Sequence, residues 1–214
     1  MNSDPLGVII AGGQSRRFQP PPSLSEGQES GDPIDKFLMP FGQTTLLDHI
    51  IHRARQQISN LILNVNGDVA RVMSCGLDVI GDDRPDEGPL GGILAAMKAA
   101  KARDHRHIIT FAGDSPFFPD DYVARLVGVK GRRIVIAESG GQCHPVMGIF
   151  EVSLYDDLKS YIDSGERRVM AWVKRHPHSK VVWDKKTPDP FFNINRQEDL
   201  ENARKYLSTG IFEQ

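Results

Sequence analysis

Short apolar runs of strand length alternate along this chain with longer stretches of helical period, and few folds accept that alternation. It is the pattern of a mainly parallel sheet with helices packed on it. The first run, Leu6 to Ile10, empties into Ala11-Gly12-Gly13. Apolar residues at 46, 47, 50, 51, 54 and 58 then predict a helix over Leu46 to Gln57. Strands are expected at Leu61 to Val65 and Asp78 to Ile80. Gly88-Pro89-Leu90-Gly91-Gly92 opens a helix that Ile93 to Ala102 continues, with Pro89 where a first turn accepts it. His107 to Phe111 reads as a buried strand ending at Gly113-Asp114, and Pro119 to Val127 as a helix.

The second half has a different grain. Arg133 to Ala137 and Val146 to Phe150 read as strands around a polar turn, Glu138 to Gln142, so an antiparallel pair is expected there. Ser153 to Asp163 has amphipathic spacing with Ser153 as its cap; Arg168 to Lys174 is a further short helix, Lys180 to Trp183 a late strand and Glu198 to Tyr206 a closing helix. The expected fold is α/β: a three-layer α/β/α sandwich, one domain over residues 1–214, whose mostly parallel sheet has a small antiparallel part. Residues 19–34, rich in Pro, Ser, Gly and Glu, carry too little apolar surface to offset their ordering entropy and read as a flexible loop.

Charge narrows the partners. In 214 residues, 26 Lys and Arg stand against 28 Asp and Glu, a net of -2, which argues against a broad nucleic-acid surface. A local basic site for a small phosphate ligand is compatible with that balance. Cys75 and Cys143 form no Cys-x-x-Cys pair and read as plain thiols of a reducing compartment. Met1 to Pro5 lack the pattern of a signal peptide, and no apolar run reaches bilayer length, so the expectation is a cytoplasmic protein without membrane contact.

Three segments carry chemistry. Ile10-Ala11-Gly12-Gly13-Gln14-Ser15-Arg16-Arg17 follows the first strand: paired glycines let backbone N–H groups approach an anion, and the arginines can clamp phosphate oxygens. It has neither the Gly-Lys-Ser/Thr ending of a P-loop nor the Gly-x-Gly-x-x-Gly spacing of a dinucleotide fold. Lys36, in Asp35-Lys36-Phe37-Leu38, can stabilise charge on a departing pyrophosphate, although taken alone it reads as a surface lysine. Asp114, after the buried strand, sits where open α/β sheets place their ligands and suits Mg²⁺ beside phosphate oxygens; a helix-capping Asp before Pro116 is the other reading of its position.

Together and in this order, the segments resemble the nucleotidyltransferases with a Leu-Ala-Gly-Gly/Ala-x-Ser-x-Arg signature, and most closely the molybdenum cofactor guanylyltransferases. The resemblance runs through nearly the whole chain: Asn64-Val65-Asn66, Asp82, Gly88 to Gly92, Asp114, His144-Pro145, Gly165-Glu166-Arg167-Arg168-Val169-Met170 and Phe192-Asn193-Ile194-Asn195. It implies a Rossmann-like fold of the nucleotide-diphospho-sugar transferase type. The implied reaction is Mg²⁺-dependent transfer of GMP from GTP to the phosphate of molybdopterin, releasing pyrophosphate, with transient contact to molybdopterin-carrying or molybdoenzyme proteins. The rival readings are a CTP- or sugar-phosphate-dependent transferase and a non-catalytic nucleotide or pterin carrier.

By the same resemblance, Ile10, Ala11, Gly12 and Gly13 hold the nucleotide through their backbone, Arg16 and Arg17 bind the triphosphate, and Lys36 adds a phosphate or base contact. Arg16, Lys36 and Asp114 are the expected catalytic residues, with Asp114 as the Mg²⁺ ligand. Asn64 and Asp82 match positions that touch guanosine, which is chemically sensible because guanine N1–H and N2–H₂ are donors that such side chains accept. His144, Arg167, Arg168, Asn193 and Asn195 match the pterin side, and Asn193 or Asn195 is an additional candidate for the metal shell. His144 also suits a structural turn, and the two arginines also suit solvated charges at a helix start. Two departures stand out: Gln19 replaces the family's usual Gly, and residues 20–34 displace Lys36 far from the arginines, an excursion that a lid role would explain.

Overall fold

The computed structural model describes residues 4–11, 35–84 and 86–210. The expectations for residues 12–34, including Gly12, Gly13, Arg16, Arg17 and the loop, lie outside that range. Nine strands are described: β1 Leu6–Ile10, β2 Pro40–Phe41, β3 Thr44–Thr45, β4 Leu61–Asn64, β5 Asp78–Ile80, β6 His107–Ala112, β7 Ile134–Ser139, β8 Gln142–Glu151 and β9 His178–Trp183. Six α-helices accompany them: α1 Leu46–Arg55, α2 Pro89–Ala102, α3 Tyr122–Gly128, α4 Tyr155–Asp163, α5 Val169–Val173 and α6 Gln197–Thr209. One seven-stranded sheet has the order β5-β4-β1-β6-β8-β7-β9; β2 and β3 form a separate antiparallel pair.

Only β8 reverses the strand direction of the large sheet, pairing antiparallel with β6 and β7, while β7 and β9 are parallel. The expected antiparallel part is therefore a single inserted strand. Its turn is tighter than Glu138 to Gln142: β7 and β8 pair from Ser139 and Gln142, with Gly140 at φ 54° and Gly141 at φ 80° between them. Two successive left-handed residues are what a two-residue hairpin needs, and glycine supplies them without a Cβ clash.

Strand period divides the core into two layers. Ile9 of β1 joins α1 (Leu46, Leu47, Ile50, Ile51), α3 (Tyr122, Leu126) and α6 (Leu200, Ala203) on one face. Leu6 and Val8, one residue out of phase, join α2 (Leu90, Ile93, Met97), α4 (Leu158, Ile162) and α5 (Trp172, Val173) on the other. This is the three-layer arrangement expected. At its amino end α1 has a full capping box between Thr45 and Asp48, and Pro89 takes the first turn of α2 as its spacing predicts.

Two helix starts differ from the sequence reading. Ser153 does not cap α4: it lies in a 3₁₀ turn, where its Oγ donates to Glu151 Oε1 at 2.6 Å and accepts from Arg133 at 2.9 Å. A neighbouring carboxylate and guanidinium outcompete the helix amide for that hydroxyl. Helix α3 begins at Tyr122 and not Pro119, because buried Phe117 and Phe118 hold the preceding segment against the core.

Candidate active site

Strand β1 lies between β4 and β6, so the chain leaves it in one direction for β4 and returns on its other side through β6. Side connections diverge at such a point and open a crevice at the carboxyl ends of the strands. Ile10 and Ala11 end β1, Asn64 ends β4, and Ala112-Gly113-Asp114 ends β6; these residues line one hollow of about 210 Å³ with Lys36, Phe37, Gly88, Pro89, Val146 and Asn193. The strand ends are laced together by Ala11 N donating to Asn64 O at 2.9 Å and Gly113 N donating to Ile10 O at 2.9 Å. A wider hollow of about 580 Å³ lies at the opposite ends of the strands, lined by Lys101, His107, Arg133, Glu151 and Tyr155 among others. Its charges are largely satisfied locally: Arg133 binds Glu151 at 3.1 Å, and Lys101 sits 5.7 Å from the Tyr155 ring centre. The narrower hollow is the one the topology builds for a ligand.

At one end of that hollow, Lys36 Nζ donates to Asp114 Oδ2 at 2.9 Å. Lys36 is fixed by a short 3₁₀ turn whose central Phe37 is buried, and Asp114 follows the buried strand β6 by two residues. The Asp114 carbonyl accepts from Ile194 N at 2.8 Å, and neighbouring Ser115, fully buried, donates to Asn193 Oδ1 at 2.6 Å. These bonds bring Asn193 beside Asp114. Since α3 begins only at Tyr122, Asp114 does not cap that helix.

At the other end, Asn64 Nδ2 donates to Asp82 Oδ1 and Asn66 Nδ2 to Asp82 Oδ2, both at 2.8 Å. Asn66 Oδ1 accepts from the Asp82 amide at 2.9 Å, so Asn66 grips both the side chain and the backbone of Asp82. With its Nδ2 committed, fully buried Asn64 keeps an Oδ1 that has no hydrogen-bond partner among the described residues. An acceptor left this way is costly, and the start of α2 at Gly92 lies directly over it. Asn64 and Asn66 are two residues apart at the end of a strand, which puts both side chains on one side. That spacing is the sequence signal for Asn66, whose grip on Asp82 the sequence reading leaves unassigned.

The remaining pterin-side candidates do not gather round the hollow as Asn193 does. His144 Nε2 is 2.8 Å from Ser139 Oγ, which in turn reaches Asp189 Oδ1 at 2.8 Å. The single serine proton serves Asp189, so His144 Nε2–H is the donor to Ser139; burial holds the His144 pKa below its usual range, opposed in part by Asp189. Arg167 donates to the Ile162 and Glu166 carbonyls, both at 2.8 Å, and thereby closes the carboxyl end of α4. Arg168 is exposed at the start of α5, as the solvated reading has it. Asn195 is exposed, and its backbone N–H donates to Asp199 Oδ2 at 2.8 Å in the first turn of α6. Among the described residues no three His, Cys, Asp or Glu side chains form a metal cluster, and no helix is long and apolar enough to cross a membrane.

Comparison with known proteins now bears on this geometry. Residues 7–180 match the model of the MobA-like NTP transferase domain. The chain belongs to that family. Among similar MobA-like proteins, the molybdenum cofactor guanylyltransferase of Bradyrhizobium sp. (strain ORS 278) is 37% identical over 206 residues, covering 93% of this chain and 91% of that one. The molybdenum cofactor guanylyltransferase of Brucella ovis is 35% identical over 211 residues, with 93% and 90% covered. Solved MobA-like folds include the molybdopterin-guanine dinucleotide biosynthesis protein A of Archaeoglobus fulgidus, with TM-score 0.68, 21% identity and coverage of 95% and 98%. A Methanothermobacter nucleotidyl transferase superposes with TM-score 0.74 at 17% identity, covering 98% of this chain and all of that one. The nucleotidyltransferase fold expected from the sequence is the one found.

Proposed function

We infer that this chain transfers GMP from GTP to the phosphate of molybdopterin, releasing pyrophosphate and forming molybdopterin guanine dinucleotide. One observation carries the reading: a single crevice is lined by a lysine–carboxylate pair, Lys36 and Asp114, and by buried Asn64, whose side chain is bonded to half-buried Asp82 behind it. The first suits a triphosphate and the second suits guanine, whose N1–H and N2–H₂ form an edge of adjacent donors. Cytosine offers no such edge, which disfavours a CTP-dependent transferase.

In the reaction, a phosphate oxygen of molybdopterin attacks the α-phosphorus of GTP. The new P–O bond forms as the bond to the bridging α,β oxygen breaks, and that electron pair leaves with pyrophosphate. The nucleophile is already anionic, so no general base is required, and catalysis reduces to placement and charge neutralisation. Lys36 is placed to offset charge on the departing pyrophosphate. Ile10 and Ala11 supply backbone contacts to the nucleotide, while Gly12, Gly13, Arg16 and Arg17 are assigned by resemblance. Asp114 and the Asn193 carbonyl line the same hollow and offer oxygen donors with one carboxylate, a set that fits Mg²⁺ sharing its shell with phosphate and water. A divalent ion held there would supply further neutralisation of the phosphates. His144, Arg167, Arg168 and Asn195 remain assigned to the pterin side by resemblance, with Asn193 the member that the crevice includes.

The deciding experiment is pyrophosphate release with GTP, CTP, ATP or UTP, in the presence of Mg²⁺ and molybdopterin. Turnover with GTP alone is expected; equal turnover with CTP would remove the guanylyl reading.

A further inference from the structure

Arg71 lies outside the crevice lining, on a 3₁₀ segment that spans Val69–Cys75. Its guanidinium nonetheless joins the crevice's two ends. Nη1 makes an ion pair with Asp35, the residue before Lys36, and Nη2 donates to the backbone carbonyl of Asn66, the residue that grips Asp82. The same group lies 5.7 Å from the ring centre of Phe37, the residue after Lys36. Its Nε is buried without a hydrogen-bond partner among the described residues, so among them the side chain is held by what its fork spans. A planar fork on two segments fixes their separation and angle, which a lysine ammonium cannot do.

We propose that Arg71 is a positioning residue that sets the distance between the phosphate arm, Asp35-Lys36-Phe37, and the base-reading clamp, Asn66 on Asp82. Arg71 does not line the crevice. It acts through the residues on either side of it, so that an incorrect base, which fails to settle against Asp82, also misplaces Lys36 relative to the phosphates. The identity of the base is thereby read in turnover as well as in binding. This assignment rests on the guanylyl-transfer reading for what the two arms contact.

The test compares Arg71→Lys, Arg71→Ala and Asp35→Asn with wild type, using GTP and ITP, which lacks the 2-amino group. Pyrophosphate release gives kcat and KM, and direct nucleotide titration gives affinity without turnover. Arg71→Lys and Arg71→Ala are expected to lower kcat with GTP about tenfold or more and to shrink the GTP-over-ITP preference in kcat/KM several-fold. Asp35→Asn breaks one arm and should lower kcat while leaving the base preference in the titration intact. A melting temperature lowered in the Arg71 variants with kcat and base preference unchanged would make the residue a structural prop and overturn the proposal. The same holds if Arg71→Lys behaves as wild type throughout. If wild type favours another nucleotide, the guanylyl reading fails alone, and the coupling is scored on that nucleotide against its nearest base analogue.

Discussion

Asn64 Oδ1 lies 2.6 Å from where a β-carbon would stand at residue 92, so glycine there is what lets the start of α2 close over the buried amide. The same β-carbon would meet Ile10 Cγ2 at 2.9 Å. Both neighbours are strand residues with no room to retreat. Gly92→Ala is expected to cost about 1–3 kcal/mol despite the better helix propensity of alanine, lowering the melting temperature by roughly 2–12 °C. GTP affinity should weaken with it, because Asn64 must turn. A thermal melt and a GTP titration check this, and an unchanged affinity would separate Asn64 from base recognition.

Loss of the Lys36–Asp114 pair should act on turnover more than on folding. The pair is partly exposed, with side chains 16% and 25% accessible, and surface pairs contribute little to stability. Lys36→Ala is expected to lower kcat by about a hundredfold or more, the usual cost of removing a stabilising donor from developing negative charge. Stopped-flow detection of pyrophosphate, with circular dichroism to verify folding, measures both quantities.

Chelation of divalent ions should abolish turnover reversibly. Asp114→Ala should raise the Mg²⁺ concentration for half-maximal activity as well as lower the maximum, since one carboxylate of the proposed set is lost. Metal titrations of both proteins test the assignment, which an undiminished Asp114→Ala would remove.

Acid sensitivity of folding is expected from His49. Its Nε2–H donates to the Pro116 carbonyl at 3.1 Å and its ring packs edge-on to Phe41. Burial, with Arg53 nearby, lowers its pKa from 6.5 to about 4. Between those values the unfolded chain binds the proton and the folded one does not. Stability from this group is therefore complete above the unfolded pKa and declines as pH falls toward the folded one, by up to about 1.4 kcal/mol per pH unit. Urea melts across that window should show the slope in wild type and a flatter one in His49→Gln.

Ser139→Ala should destabilise the proposed acceptor side by about 1–3 kcal/mol, because half-buried His144 and Asp189 lose the buried hydroxyl between them. KM for GTP should hold and KM for molybdopterin should rise. Steady-state kinetics with each substrate varied in turn distinguish the two.

The strand and helix sequence was legible because burial on alternating faces imposes a period on residues such as Leu6, Val8 and Ile9. Asp114 is legible from its place after a buried strand, whereas Lys36 alone reads as a surface lysine and Asn64 gains its role from the family resemblance; the crevice brings the three together. What stayed hidden depends on distant partners. Ser139 and Asp189 meet across 50 residues, and Arg71 reaches Asp35 across 36. The β2–β3 hairpin was missed because strands of two residues carry no period. Arg167 stays open between a phosphate contact and a solvated charge, because an exposed arginine looks the same in sequence in either case; in the structure it donates to the Ile162 carbonyl at the end of a helix.

The reversed direction of β8 has a consequence for how this architecture can change. Strands β1, β4 and β6 reach the crevice by their carboxyl ends, but β8 meets it from its amino-terminal half, bringing Val146 in from the side of the Gly140-Gly141 hairpin. On the proposed function, the acceptor side is then built from the arm of a hairpin, whereas the nucleotide side is made of strand ends locked to their neighbours. A tip can be lengthened or exchanged without disturbing sheet order, so the fold can trade one acceptor for another while its nucleotide half is inherited intact.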